Sequence, residues 1–373
     1  MATRTHDFIV VGGGIVGAAV AEGLARRGCD VAILDEGDVA IRAARGNLGN
    51  VWVQGKGAGN PPYADLTRKS ALDWQGLADR LRQQTGIDVH YEKRGAVFLC
   101  FSEAELEKRT ATMEKSAQGV RIENRYEMLN HAGVARLFPM IGPDVLGGSY
   151  SAEDGTANPL YLLRALIKSA TLNGCAYIAS CGVSDLRAEA GGFVLQTEQG
   201  EFRTNHVALC AGLGNARLAP QLNLFGDVRP VRGQIMVTER LQPFLPLNVS
   251  FIRQTVEGSC VIGESSEDAG YDTGTTVDVL KDTAERAIRA FPHLQNAGVV
   301  RTWGALRIMT PDGAPVYQMR GFGRGSIHKA TVVSVHSGVT LSPFHAEDMA
   351  VQIAGHELDT DIARAFAAER FDV

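Results

Sequence analysis

The sequence predicts an α/β fold, α+β overall. One domain is built on a parallel sheet, and a second, discontinuous domain on a mainly antiparallel sheet. Three observations predict this. Asp7 to Asp35 reads as strand, glycine turn, helix, strand and terminal acid without interruption. Two later apolar runs, His206–Cys210 and Thr331–Val335, also break into glycine. Between these landmarks, segments 86–150 and 229–304 carry short apolar runs and turns of a different style. A length of 373 residues suits two domains better than one core.

The N-terminal stretch is the most informative. Phe8–Val11 is an apolar run suited to a buried parallel strand. Gly12-x-Gly14-x-x-Gly17 follows at once, with Ile15 and Val16 opening a helix that runs to about Arg27. Gly12 allows a tight turn, Gly14 lets backbone approach a pyrophosphate, and Gly17 lets helix and strand pack closely. A second run ends on Asp35 and Glu36, about twenty residues past the last glycine, where a carboxylate binds a ribose hydroxyl pair. This is a Rossmann-like dinucleotide site. The motif alone does not choose between FAD and NAD.

Composition bounds the alternatives. Hydrophobic content of 45% and charged content of 21% are globular values. Net charge is −5 with no basic block, which argues against nucleic-acid binding. The six cysteines form no CxxC pair and the nine histidines no metal-ligand spacing, so neither a disulfide framework nor a metal site is indicated. The chain enters its first strand within ten residues and has no apolar run long enough to span a bilayer. A cytoplasmic protein is expected, with membrane contact only through partners.

The rest of the chain follows in order. Residues 36–60 are rich in glycine with interleaved Asn, Trp, Gln and Lys, which suits a loop around a planar ligand. Trp52, Gln54 and Lys56 would share a face if that segment were extended. Tyr63 to about Thr85 reads as one helix. Val89–Glu92 and Ala96–Phe101 read as paired strands, and Ser102 opens a helix with early acids. Asn158-Pro159 starts another helix. Val183–Ala188 and Phe193–Thr197 flank a Gly191-Gly192 turn. The run into Ala211-Gly212 again permits close approach to a ligand, or is a plain tight turn. Arg232–Val237 and Ser259–Ile262 are strand-like, and Val277–Phe291 is an amphipathic helix. Thr331–Val335 leads through His336-Ser-Gly338 into a last helix, whose N-terminus could meet an anionic or carbonyl group. The boundaries implied are 1–85, 151–228 and 305–373 for the dinucleotide domain, and 86–150 and 229–304 for the other.

Together these junctions resemble the D-amino-acid-oxidase-like (DAO) family of FAD enzymes, which includes glycine oxidase, sarcosine oxidase and D-amino-acid dehydrogenase. The resemblance rests on the Gly12–Gly17 block, Ala211-Gly212 and Val231-Arg-Gly-Gln234. Trp303-Gly-Ala-Leu-Arg-x-x-Thr-Pro-Asp-Gly313 and Gly338-Val-Thr-Leu-Ser-Pro343 complete it. Gly46–Gly57 and Thr85-Gly-Ile-Asp88 look most like the small flavin subunits of opine oxidases and D-hydroxyproline dehydrogenases. In that group the small chain works beside a larger flavoprotein and an iron–sulfur partner.

The resemblance implies FAD. Gly12, Gly14, Ile15, Val16 and Gly17 would hold the pyrophosphate, Asp35 and Glu36 the adenosine ribose, and Val183 the adenine. Asn47, Gly49 and the Gly338, Val339, Thr340, Leu341 backbone would flank the flavin, and Leu48, Ala211 and Gly212 would also bind the cofactor. Arg307 matches the arginine that pairs with the substrate carboxylate, a role suited to its planar fork. A structural ion pair is the other reading of Arg307. His336 stands where glycine oxidase carries an active-site Arg, either contacting substrate or serving structure. Gln54 is a further candidate lining the site. Ala43-Ala44 replaces the Ser or Thr common in relatives. No Lys stands near Val261, where some sarcosine oxidases hold one for oxygen, which favours a dehydrogenase.

The implied activity is oxidation of the C–N bond of an amino acid or N-substituted amino acid, by hydride transfer to flavin N5. A heteromeric dehydrogenase subunit, a stand-alone oxidase making hydrogen peroxide, and an electron-transfer subunit without its own substrate site remain distinct possibilities.

Overall fold

The computed structural model describes residues 4–37, 42–263 and 265–371. Its first sheet has a parallel centre. Strands His328–Ser334, Gly200–Leu209, Arg4–Val11, Val31–Leu34 and Ala176–Ile178 lie side by side in that order. Val316–Phe322 adds an antiparallel edge, and the hairpin Val183–Glu189/Gly192–Thr197 extends one side of Gly200–Leu209. Phe8 and Val10 enter one apolar cluster, Ile9 and Val11 another. A central parallel strand is covered on both faces, so a continuous apolar run is what it requires.

The register decides where function can sit. Val11 is level with Leu34 on one side and Leu209 on the other, and Leu209 is level with Val332. The junctions at Gly12, Gly212 and Gly338 therefore leave the same carboxyl edge. In open α/β sheets ligands bind in the crevice outside that edge.

The second sheet is antiparallel except where Asn248–Val249 meets Ala96–Cys100. Its order is Val299–Met309, Arg229–Arg240, Ser259–Gly263, Ile252–Gln254, Asn248–Val249, Ala96–Cys100, Gly147–Ser151, Glu127–Asn130. The longest pairing joins Arg229–Arg240 to Val299–Met309 and sets Arg307 opposite Val231. Helix Val277–Ala290 packs over this sheet, with Ala287, Ala290 and Phe291 beside Phe138 and Phe251. Ser102 caps helix Glu103–Ser116 by accepting from the Glu105 N–H, as its sequence predicts.

Two local expectations are corrected. Tyr63–Thr85 is two helices, Pro61–Leu72 and Trp74–Thr85, joined at Asp73. Both are pinned to one loop: Ser70 Oγ donates to the Thr340 carbonyl, and the Trp74 indole N–H reaches the Val339 and Thr340 carbonyls. Val89–Glu92 is not a strand. His90 has a positive φ of 50°, and only Glu92 forms a bridge, to Thr156. Ala96–Cys100 pairs instead with Gly147–Ser151. Residues 38–41 of the glycine-rich loop 36–60 lie outside the described residues.

Candidate active site

The glycine turn and the acid at the end of the second strand form one end of the crevice. Helix Ile15–Arg26 begins at Gly14 with no side-chain cap and no acid in its first turn. Its first N–H groups and positive dipole end are thus left to an anion. Among the described residues, a side chain at Gly14 would meet only the Ala44 Cβ, at 3.9 Å. At Gly17 it would lie 1.9 Å from the Gly12 carbonyl. Gly14 therefore keeps space open, while Gly17 permits packing.

The Asp35 carboxylate accepts the Gly13 N–H at 2.7 Å and the Gly37 N–H at 3.1 Å. An ionised carboxylate keeps further lone pairs for two hydroxyls. The Cys181 N–H donates to the Asp35 carbonyl at 2.7 Å, which brings the chain before Val183 alongside. Glu36 is exposed and pairs with Arg42. The Val183 carbonyl accepts from Arg217 at 2.7 Å.

The three junctions touch one another. Ala211 and the Cys210 carbonyl lie against Gly12, Gly338 lies against Val16, and Gly212 faces Ile308 of the antiparallel sheet. Ala211 N–H is held by Asn215 at 3.1 Å. The Asn47 amide donates to the Ala43 and Ala44 carbonyls and accepts the Gly49 N–H, so it braces its own loop. Leu48 is partly exposed beside it. Thr340 Oγ1 accepts the Trp52 N–H at 3.1 Å, while Val339 and Leu341 are buried.

At the far end stand Arg307 and His336. The Arg307 guanidinium donates to the Ser265 carbonyl at 2.8 Å. It lies across Gly233, where any Cβ would come within 2.6 Å of it. His336 is only partly exposed. Burial first, then the charges of Lys56 and Arg307, push its imidazole down to about 3. The ring is neutral at neutral pH. Lys56 Nζ lies 3.5 Å from His336 Nδ1 and 2.8 Å from Ser337 Oγ. Tyr63 OH lies 3.0 Å from the same hydroxyl. An ammonium can only donate, so Nδ1 is the acceptor and the ring proton sits on Nε2.

Trp52, Gln54 and Lys56 do not share a face. Gly55, with φ of 75°, turns the chain between Gln54 and Lys56. Gln54 is 1% exposed and its amide is fully used: Nε2 donates to Asp154 at 2.5 Å, and Oε1 accepts from Arg109 and Ser149. Gln54 thus belongs to a buried polar network and does not line a cleft. Asp154 also accepts the Val53 N–H at 2.6 Å. Burial pushes its carboxyl up to about 7 against those donors. Lys56, Tyr63, Ser337 and Asp154 do not stand out in the sequence as site residues. A lysine between two glycines, in a loop after the second strand, is the one available signal.

The fold and crevice define a dinucleotide-binding protein with Arg307, Lys56 and His336 at the far end. Comparison with known proteins narrows the class. The family profile described as "DAO: FAD dependent oxidoreductase" matches residues 7–352, and the chain belongs to this family. It is 37% identical over 370 residues to the opine oxidase B subunit of Agrobacterium tumefaciens (strain Ach5), covering 98% of this chain and 97% of that one. Identity to the opine oxidase B subunit of Rhizobium meliloti is 38%, covering 98% of each chain. The crystal structure of glycine oxidase from Geobacillus kaustophilus superposes with a TM-score of 0.89 at 25% identity, covering 98% of each. The chain is a FAD-dependent oxidoreductase acting on amino acids or amines. The uncapped helix, the space at Gly14 and the carboxylate of Asp35 fit that cofactor. No described helix is long and apolar enough to cross a membrane.

Proposed function

We propose that this chain oxidises the C–N bond of an N-substituted amino acid, of the opine or D-hydroxyproline kind, as the flavin subunit of a heteromeric dehydrogenase. When bound, FAD supplies the two-electron acceptor that turns the amine into an imine, which water hydrolyses. The chain's own residues bind and orient. Gly12, Gly14 and Gly17 with the helix N-terminus take the pyrophosphate, and Asp35 the ribose. Arg307 grips the substrate carboxylate through its fork, and His336 offers a neutral Nε2–H as donor. With the amine bound neutral, no dedicated general base is needed. Fixing the α-carbon against its acceptor is the main contribution of this scaffold.

One observation carries the reading. Over nearly its whole length the chain is about ten percentage points more similar to the two opine oxidase B subunits than to the glycine oxidase of Geobacillus kaustophilus, at 27%. The test is anaerobic bleaching of the flavin-loaded chain by opines, D-hydroxyproline, sarcosine and glycine, alongside size-exclusion of the complex isolated from its host. Bleaching by N-substituted amino acids together with co-eluting partner chains supports the reading. A monomeric or homomeric enzyme that turns over in air with stoichiometric peroxide overturns it.

A further inference from the structure

Arg253 lies outside the crevice and has no role in the proposed chemistry. Among the described residues four arginines are buried: Arg68, Arg109, Arg232 and Arg253. Three of them have their donors engaged. Arg68 reaches the Ile122 and Ser116 carbonyls, Arg109 reaches Gln54 and Ser149, and Arg232 is taken by Glu267 and Asp272. Arg253 is 8% exposed, yet its guanidinium meets no acceptor among the described residues, and its buried Nε is left unpaired. A buried donor without an acceptor costs free energy, and a buried charge without a counter-charge costs more.

The fold aims this group at a cleft. Ile252 belongs to the apolar cluster beneath helix Val277–Ala290, so Arg253, next on the same strand, projects from the opposite face of the sheet. There it lines a cleft with segments 90–92 and 156–158. Glu92 and Glu257 border the same cleft, but neither pairs with it. Glu92 is held by Arg94 at 2.7 Å. The Glu257 carboxyl is kept below its usual range by its own backbone N–H and then by Thr255. Asn158 is committed to capping helix Pro159–Leu172, and the Gln254 amide to backbone groups of Gln242, Phe244 and Gly258. Burial pushes the Arg253 guanidinium down to about 10, with Glu257 and Glu92 opposing that shift in part. It stays charged at neutral pH.

The shape of the cleft selects what can enter. Its free volume is about 10 Å³, room for the end of one side chain and too little for a ligand of nucleotide size. Its rim is apolar and open: Val256 is 59% exposed, and Leu160, two residues past Asn158, is 51% exposed. A desolvated arginine ringed by apolar contacts is the pattern of an interface hot spot. The floor of the cleft also leads to the crevice. Thr156 is level with Asn50, whose carbonyl accepts from Thr340 Oγ1 at 3.4 Å. A chain docked on Arg253 is thus one short ribbon away from the Gly338–Leu341 junction.

We infer that Arg253 anchors a protein interface, receiving a carboxylate side chain of the partner subunit while Val256 and Leu160 pack around that pair. This rests on the heteromeric reading proposed above. The guanidinium fork matches a carboxylate with two parallel hydrogen bonds, and the docked partner shuts out water.

The test uses the complex isolated from its host. Its partner chains are separated and titrated with the flavin-loaded wild-type chain or with Arg253→Met. The variant is expected to bind at least about tenfold more weakly. Arg253→Lys should weaken binding less, since it keeps the charge and loses the fork. The isolated Arg253→Met chain should melt no lower than wild type, because an apolar side chain has replaced an unpaired buried charge. In wild type, amides of residues 88–92, 155–160 and 250–258 should exchange more slowly in the complex than in the isolated chain. An isolated complex that holds no chain but this one sinks the heteromeric reading, and the inference with it. Partners that bind Arg253→Met as tightly as wild type overturn the inference alone. So does exchange in those three segments that the partner leaves unchanged. An isolated variant that melts far below wild type overturns it too, since Arg253 would then be a structural residue.

Discussion

Arg307 lies across Gly233. Its guanidinium occupies the volume a side chain at 233 would need, with Nη1, Nη2 and Cζ all within 2.8 Å of a Cβ built there. The two residues sit diagonally on the longest strand pairing of the antiparallel sheet, Gly233 being level with Ala305 and Arg307 with Val231. The glycine of Val231-Arg-Gly-Gln234 is thus the floor on which the arginine rests. The obstructing atoms are the far end of a flexible side chain, so Gly233→Ala should fold. The expected change in unfolding free energy is below about 1 kcal/mol. The arginine must move by an ångström or so, and carboxylate substrates should lose about 10- to 100-fold in kcat/KM. Denaturant midpoints and steady-state kinetics on one preparation check both halves. A large stability loss, or unchanged kinetics, would contradict the account.

Arg307→Lys tests the anchor directly. Lysine keeps the charge but loses the fork that meets a carboxylate with two parallel bonds. It also loses the Nη1 donation to Ser265 at 2.8 Å. A loss of about 100-fold or more is expected for carboxylate substrates, with the flavin spectrum retained. Rate measurements against an amide or ester of the same substrate should show a much smaller loss. Equal losses on charged and uncharged substrates would remove the carboxylate from the assignment.

Gly14 and Gly17 should separate cofactor binding from folding. Among the described residues alanine at 14 has open space, its nearest neighbour being Ala44 at 3.9 Å. Gly14→Ala is expected to give a folded chain that holds FAD at least about tenfold less tightly, because the methyl group stands where a phosphate approaches. Alanine at 17 would place its Cβ 1.9 Å from the Gly12 carbonyl, which is backbone and cannot step aside. Gly17→Ala should therefore lose the fold as well as the cofactor. Circular dichroism of the apo chains together with FAD titration checks the contrast. If Gly14→Ala binds FAD normally, Gly14 is not at the phosphates.

These residues show what is legible in the sequence. The first junction can be read because one unbroken stretch holds every part of it, from Phe8 to Asp35. The helix starts at Ser102 and Asn158 are legible for the same reason, since a capping side chain acts within three residues. Gln54 is not, because its fate is decided by partners far along the chain, Arg109, Ser149 and Asp154. The alternation of Trp52, Gln54 and Lys56 presupposes an extended backbone, and the left-handed Gly55 cancels it. The helix break at Asp73 depends on carbonyls at Val339 and Thr340, over 260 positions away. Local chemistry is written in local sequence, whereas a contact between distant segments has no local signature.

Asp154 is where such distant contacts concentrate. Its carboxylate accepts the Val53 N–H at 2.6 Å, the Gln54 N–H at 3.3 Å and the Gln54 side-chain amide at 2.5 Å. Asp154→Ala leaves three buried donors without acceptors in a site that is 0% exposed. A loss of about 3 kcal/mol or more is expected. The turn that carries Lys56 is anchored through Val53, so its amides should exchange faster than in wild type. Chemical denaturation gives the first number and hydrogen exchange of peptides covering residues 50–60 the second. A variant with wild-type stability would show that water replaces the carboxylate.

Acid should unfold this chain through its histidines. His336 and His345 are both pushed down to about 3, the first by burial and then by Lys56 and Arg307, the second by burial alone. His206 is pushed down to about 4 by burial and by the neighbouring His356 and His328. In the unfolded chain each protonates near its usual 6.5. Between pH 6.5 and about 4 the unfolded state therefore binds more protons, and stability falls as pH falls. Each histidine contributes at most about 1.4 kcal/mol per pH unit in that window, less where solvent screens it. Asp154 works in the opposite sense: raised to about 7, it takes up its proton in the folded state first and favours folding as pH drops from about 7 towards 4. Three histidines against one carboxyl leave a net loss on acidification. The urea midpoint should accordingly be lower at pH 5.5 than at pH 7.5. His345→Leu gives up the contact with Tyr317 OH at 3.1 Å, lowering stability at pH 7.5, but it removes one titrating group. The difference between its midpoints at the two pH values should be smaller than in wild type. An equal or larger difference would mean that His345 takes up its proton in the folded state near its ordinary pH.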